Sequence, residues 1–521
     1  MSVGGKAWLR ALLAYANLGL ASLLLLLLAI YGVGAVRDAL SAISSPLQGD
    51  YGEGIVWQQA ALIPGPRMYQ SGAGLPFIVF HYPPLFYLLT QVGLTVEPNL
   101  LASGRLVSVT ATAIAAATAG GLVLKASAPG RSGRSQVDSI AIWCAVVTSL
   151  LVLSLHAVRN WGLLMRVDMV AVAFGLLGLL VSVCGRGGFG NTLLALLFCT
   201  IAVFGKQTEF AAGISVFLIA FLRSPRAACA AAVVAGLSGF AVLGWLEWQT
   251  AGGFLHNIIG YNVNRFSRWH AYLVLRSEQA SLPVMLLILA ASASAVRSAV
   301  LIIVNRSRET GHVLSGLRKF LCDGSNEAQL TLLVYVGISS LMLLAILKSG
   351  SSYNYFLGWL IAGAALLGVW LCRLARTEPS SPWFALVVCV IAGSVMASPL
   401  RTRPDQASPE QLASNSALVQ RIADATKPVA SENMTLLMEA GKPVIFEPAI
   451  VTELAKVGRW DEQPLVDMIQ AGGFAFMIIT DDVPGDSALR TRAVDAAMRA
   501  NYPRVEQLGP SLWLRQPALS R

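Results

Sequence analysis

Asp50 and Glu53 stand three residues apart in a segment, Gly49 to Tyr87, that reads GDYGEGIVWQQAALIPGPRMYQSGAGLPFIVFHYPPLFY. The same stretch carries Arg67 and His81 among prolines and aromatic residues. A connecting loop has no need of carboxylates, a guanidinium, an imidazole and a Tyr-Pro-Pro turn together. A carboxylate can take the proton of an attacking hydroxyl, a weak nucleophile that needs a base within hydrogen-bond reach. If the stretch is helical, three-residue spacing puts both acids on one face. The bland alternative is a glycine-rich turn that ends the preceding helix. The arginine, histidine and Tyr-Pro-Pro pattern downstream favours a reaction centre. Asp50 is then the expected base, and Glu53 the second acid, which orients the acceptor.

The rest of the chain must hold these residues at a membrane surface. Its 521 residues are 55% hydrophobic and only 13% charged, with a mean hydropathy of +0.63. Soluble domains carry about 25% charged residues, so the composition is that of a polytopic membrane protein. The net charge of +10 does not call for nucleic acid; basic cytoplasmic loops account for it. Seven cysteines with no CxxC spacing indicate neither a zinc site nor a disulfide framework. The basic, apolar N-terminus lacks a small-residue cleavage motif and reads as a retained first helix.

Apolar runs fall at roughly 11–33, 102–124, 138–158, 167–184, 190–205, 209–223, 227–246, 282–304, 329–347, 355–372 and 382–399. Basic residues mark every second connection: Lys6 and Arg10; Lys125, Arg131 and Arg134; Arg186; Arg223 and Arg226; Arg306, Arg308, Arg318 and Lys319; Arg373 and Arg376. The expectation is about eleven spans, with the N-terminus inside and the C-terminus outside. Residues 83–98 are expected to form an interfacial or re-entrant helix of the first outer loop. The competing reading pairs 83–98 with 102–124 as a spanning hairpin.

Polar and aromatic residues collect in the other outer connections. These hold Arg166 and Asp168; Lys206 and Gln207; His256, Asn257, Asn262, Asn264 and Arg265; and Lys348, Tyr353, Asn354 and Tyr355. From about residue 400 the composition turns polar. Strand-like runs (PVASE, KPVIFE, FAFMIITD) alternate with helix-like ones (NSALVQRIADAT, NMTLLMEAG, PLVDMIQAG, RAVDAAMRANY). The division expected is a transmembrane catalytic domain over 1–399 and a small extracytoplasmic α/β domain over 400–521. The latter has no phosphate-binding motif and is assigned no chemistry.

The segment with Asp50, Glu53 and YPPLFYLL resembles the first outer loop of GT-C glycosyltransferases. The nearest subgroup is the bacterial family-39-like enzymes, related to protein mannosyltransferases and aminoarabinose transferases. RVDMVAVAFGLLGL, GKQTEF and SGSSYNYFLGWLIAGAALLG also resemble family segments. In that family the two acids are commonly adjacent. The resemblance implies a multi-pass protein of the bacterial inner membrane with its site on the extracytoplasmic side. There a sugar passes from a polyprenyl-phosphate donor to a glycan, glycolipid or protein acceptor.

The leaving lipid phosphate would need cations, and Arg67, Lys206, Arg265 and Lys348 are the candidates. Each could instead be a side chain snorkelling at the interface. His81, Tyr82, Arg166, Asp168, Gln207, Asn262, Tyr353, Asn354 and Tyr355 are the candidates for sugar and acceptor. Interfacial anchoring is the plainer role for the tyrosines. No cofactor is indicated, although Asp50 and Asp168 are conceivable ligands of a divalent cation. Two other classes compete: a transporter or flippase of lipid-linked sugars, and a non-catalytic envelope scaffold. The first would need functional charges on both faces and an internal repeat. Neither is evident.

Overall fold

The computed structural model describes residues 3–70, 72, 74–128, 138–185, 187–398 and 408–518. Arg131, Arg134, Arg186 and the stretch 399–407 around the expected domain boundary lie outside the described residues. Each of the eleven expected apolar segments is mostly helical over its described residues. Among the described residues, six helices are long and apolar enough to cross a membrane: Trp8–Ser44, Leu100–Ala126, Pro225–Gln249, Gln279–Thr310, Gly324–Leu347 and Tyr353–Thr377. Five shorter apolar helices accompany them, at Ser139–Ser154, Asp168–Cys184, Phe189–Gly205, Ala211–Arg223 and Pro382–Ala397. The chain is a multi-pass membrane protein.

The helices order themselves by what surrounds them. Tyr353–Thr377 is 89% buried over its apolar window, whereas Pro225–Gln249 and Gln279–Thr310 are 17% buried. The first is therefore the axis of the bundle, and the other two are its periphery. Exposed leucines, valines and tryptophans on the peripheral helices, such as Leu237 and Trp248, face the surroundings. That is the pattern for a solvent as apolar as the core.

The connection after the first helix contains two short helices, Tyr51–Ala61 and Leu85–Gly93. Nine residues at 1.5 Å each span roughly 14 Å, about half of a bilayer's apolar thickness. The helix within 83–98 is thus too short to cross a bilayer by itself. Asn257 pins this connection: its Oδ1 accepts from the Phe80 N–H (2.8 Å), and its Nδ2 donates to the carbonyls of Gly253 and Gln70.

The C-terminal segment holds a four-stranded sheet in the order β1–β2–β4–β3. The strands are β1 Ala430–Ser431, β2 Met477–Ile479, β3 Arg504–Gly509 and β4 Leu512–Gln516. β1 pairs in parallel with β2, and β4 pairs antiparallel with both β2 and β3. Helices Pro409–Ala423, Met434–Glu439, Pro448–Lys456, Gln463–Gln470 and Arg492–Asn501 pack on it. One expected strand is absent. KPVIFE forms only a single parallel bridge, Phe446 to Phe77, with the Phe77 N–H donating to the Ile445 carbonyl at 2.8 Å. The β3–β4 hairpin was not expected, because its strands carry charge on both faces and alternate poorly.

Candidate functional site

One cleft of about 460 Å³ gathers residues that are hundreds of positions apart in sequence. Asp50, His81, Tyr82, Arg166, Lys206, Gln207, Asn262, Lys348, Tyr353 and Tyr355 all line it. Ten of the fifteen expected site residues are thus brought to one place.

Asp50 is the N-cap residue of helix Tyr51–Ala61, yet its side chain makes no cap hydrogen bond. Its backbone is extended (φ −152°, ψ 162°), so the side chain leaves the helix axis and points toward Arg166. Oδ2 lies 3.5 Å from the Arg166 guanidinium. Oδ1 is buried without a hydrogen-bond partner. Burial raises the Asp50 pKa above the ordinary carboxylate value, against the opposing charge of Arg166. This is an acid tuned toward taking a proton.

Glu53 is placed differently. It is fully buried and meets Arg105, also fully buried, in a bidentate pair with both contacts at 2.7 Å. Its oxygens also accept from the backbone N–H groups of Met165 (2.8 Å) and Gly49 (2.6 Å). Arg105 spends its remaining donors on the carbonyls of Ala42, Ser45 and Leu47. Burial opposes the charge on Glu53, but Arg105 and the two N–H groups outweigh it and lower the pKa. No oxygen is left to meet an acceptor. Glu53 does not line the cleft; it ties the first helix, the loop after it and helix Leu100–Ala126 into one frame.

Lys206 ends helix Phe189–Gly205 and reaches Asp168, the first residue of the neighbouring helix, at 2.5 Å. Asp168 also accepts from Asn354 Nδ2 (2.9 Å) and Trp161 Nε1 (2.6 Å). Lys206 lies over the Tyr355 ring, 4.5 Å from its centroid, and Arg166 lies over the Trp161 ring at 4.8 Å. Asp168 and Asn354 do not line the cleft; they stand behind Lys206 and hold it. Lys348 donates to Asn262 at 2.8 Å. Arg67 and Arg265 are exposed and outside the cleft. Arg265 is used through its backbone, which pairs with Ser349, and its guanidinium turns to the Lys456 carbonyl. The structure does not bring these two arginines together with the other expected cations.

Four polar atoms lining the cleft are buried without a hydrogen-bond partner: Asp50 Oδ1, His81 Nε2, Arg166 Nε and Gln207 Oε1. Buried polar groups are almost always paired, so a cluster of exceptions marks a place that a ligand completes. Two of them are acceptors only, one is a donor only, and the imidazole nitrogen serves either way. An anion alone cannot satisfy the two acceptors. A ligand that carries hydroxyls as well as negative charge can satisfy all four.

Among the described residues, no three His, Cys, Asp or Glu side chains are grouped to hold a metal ion. Both oxygens of Asp168 are taken by Lys206, Asn354 and Trp161, so it is not free to share a cation with Asp50.

Sequence reading missed Tyr51, Gly52, Trp161, Glu447 and Glu453, all of which line the cleft. The last two belong to helix Pro448–Lys456 and its cap. A signal for this helix was present: Glu followed by Pro and then apolar residues is a helix start.

No family model matches this chain, and no curated protein sequence matches it. Similar solved structures include the aminoarabinose transferase ArnT of Cupriavidus metallidurans bound to undecaprenyl phosphate, with 13% identity over 94% of this chain and 98% of that one, and a TM-score of 0.47. Its apo state gives 14% identity over 93% and 97%, with a TM-score of 0.45. The oligosaccharyltransferase of Archaeoglobus fulgidus, in its apo form, gives 8% identity over 86% of this chain and 69% of that one, with a TM-score of 0.44.

Proposed function

We propose that the chain is a membrane glycosyltransferase. It moves a sugar from a polyprenyl-phosphate donor to a hydroxyl acceptor at the extracytoplasmic surface of the bacterial inner membrane. The observation that carries this reading is the unpaired Asp50 Oδ1 in a cleft that also holds Arg166, Lys206 and Lys348. Asp50 takes the proton of the acceptor hydroxyl as its oxygen attacks the anomeric carbon. The bond from that carbon to the phosphate oxygen breaks, and the lipid phosphate leaves with the electron pair. The three cations stabilise that charge in a site removed from bulk water. A single displacement from the face opposite the phosphate inverts the anomeric centre.

Lys206 suits the phosphate because Asp168, itself held by Asn354, and the Tyr355 ring keep it in one position before a ligand arrives. Gln207 and His81, with their unmet atoms, suit sugar hydroxyls. Residues from about 400 onward are read as an extracytoplasmic α/β domain over this site.

The test uses purified protein in liposomes with a panel of polyprenyl-phosphate sugars. Wild type should release lipid phosphate and form a glycosylated product, and Asp50→Asn should do neither. Intact donor carried across the bilayer by both proteins would replace the transferase with a transporter.

A further inference from the structure

The C-terminal segment, to which its sequence assigns no chemistry, reaches the cleft. Glu447 is 2% exposed and caps helix Pro448–Lys456, accepting from the backbone N–H groups of Ala449 (3.0 Å) and Ile450 (2.9 Å). The same carboxylate accepts the Tyr51 O–H at 2.5 Å, and the Tyr51 oxygen in turn accepts from the Ala449 N–H at 3.0 Å. Its second oxygen lies 3.7 Å from His81 Nε2, the nitrogen that lacks a hydrogen-bond partner. One buried carboxylate therefore bonds the residue next to Asp50 and stands within ion-pair reach of an imidazole of the cleft. Two helical turns of the same element carry Glu453, which accepts from Ser349 (3.0 Å) and Asn264 (2.7 Å), the loops that bear Lys348 and Asn262.

We infer that Glu447 is a positioning residue of the site, acting through His81 and Tyr51. This inference deepens the transferase reading and rests on it. A helix cap alone would need neither the tyrosine nor the imidazole. At 3.7 Å the carboxylate stands within ion-pair reach of His81 Nε2 and limits the ways the ring can face. It also holds the first turn of helix Tyr51–Ala61, and so fixes where Asp50 points. The acceptor and sugar thus meet a wall made by two regions separated by some 400 positions, and neither region completes it alone.

The test compares full-length wild type with Glu447→Gln, His81→Asn and the double variant in the liposome assay. Glu447→Gln should lower kcat at least tenfold and leave the donor KM within threefold. The double variant should be no slower than the slower single variant, because both changes cut one linkage. Wild-type kcat in Glu447→Gln, or effects that multiply in the double variant, would overturn the inference. If Glu447→Gln does not fold, Tyr51→Phe carries the test, since it removes one O–H and leaves the helix cap. A tenfold lower kcat supports the inference, and wild-type kcat overturns it. If wild type transfers no sugar from any donor, the transferase reading falls. The ring resonance of His81, one of five histidines, then decides the linkage by itself in labelled protein. A shift in Glu447→Gln supports the pairing, and an unchanged resonance overturns it.

Discussion

The Arg166 guanidinium occupies the space where a side chain on Gly52 would begin: a Cβ built there falls 1.0 Å from a terminal nitrogen of Arg166. The glycine lets the cation lie across the first turn of helix Tyr51–Ala61 and approach Asp50. Gly52→Ala should therefore fold, because the displaced atoms are the far end of a flexible side chain. Its transfer rate should fall by about 10²-fold through misplacement of Arg166. An alanine variant with wild-type turnover would show that the position of Arg166 is immaterial.

Asp50 must be deprotonated to act as the base. Its raised pKa puts the acid limb of kcat/KM above the ordinary value of 3.8, with rate rising as pH rises through it. Asp50→Asn should abolish that limb and cost about 10²–10⁴-fold in rate. The sign for stability is opposite. A carboxyl whose folded pKa is raised destabilises the fold once ionised, so the asparagine variant should melt no lower than wild type at pH 7. Thermal unfolding and a pH–rate profile on one preparation check both statements.

Glu53 and Arg105 predict the reverse pattern. Removing one partner leaves the other buried and unpaired, so Glu53→Gln should destabilise by about 3–5 kcal/mol. The Glu53 pKa is lowered in the fold, so its contribution is complete above the unfolded value of 4.5 and is lost as pH falls below it toward the folded value. Denaturation in detergent at pH 7 and pH 4 should show the gap between wild type and variant narrowing at the lower pH.

Lys206 both serves the cleft and neutralises Asp168. Lys206→Met should lose stability as well as rate, on the order of 3–5 kcal/mol for the stranded carboxylate. Pairing it with Asp168→Asn should restore the melting temperature but not the rate. If the double variant regained transfer, Lys206 would have no role with the phosphate.

Lys348 is half exposed and pairs only with Asn262 by hydrogen bond. Lys348→Ala should leave the melting temperature within about 0.5 kcal/mol of wild type in free-energy terms. Donor KM should rise, and the rise should shrink as salt is added, because exposed charges are screened over about 8–10 Å.

The helices were legible because length and apolarity are written along each one. The cleft was legible as a list, since cations and amides are rare in connections of this kind and stand out where they occur. What the acids do was not legible. Three-residue spacing puts two helical side chains on one face, but Asp50 is a cap with extended backbone and does not obey helical spacing. It faces the cleft, and Glu53 faces Arg105. Arg105 lies inside an otherwise apolar helix, where sequence shows a charge but not its partner 52 positions away. Arg67 and Arg265 had the right charge in the right loops, yet loop backbone decides direction, and theirs points outward. Glu447 could be read as a helix start but not as a neighbour of His81, because only the folded chain brings them together.

Strand β4 lies between β2 and β3, so the sheet has no centre until residues 512–516 join it. The carboxylate at position 447 is seated on that late-forming layer, through the core shared by Ile450, Leu454, Met477 and Trp513. A chain cut before Leu512 would keep the apolar helices from Trp8 to Ala397 and lose the layer on which Glu447 is seated.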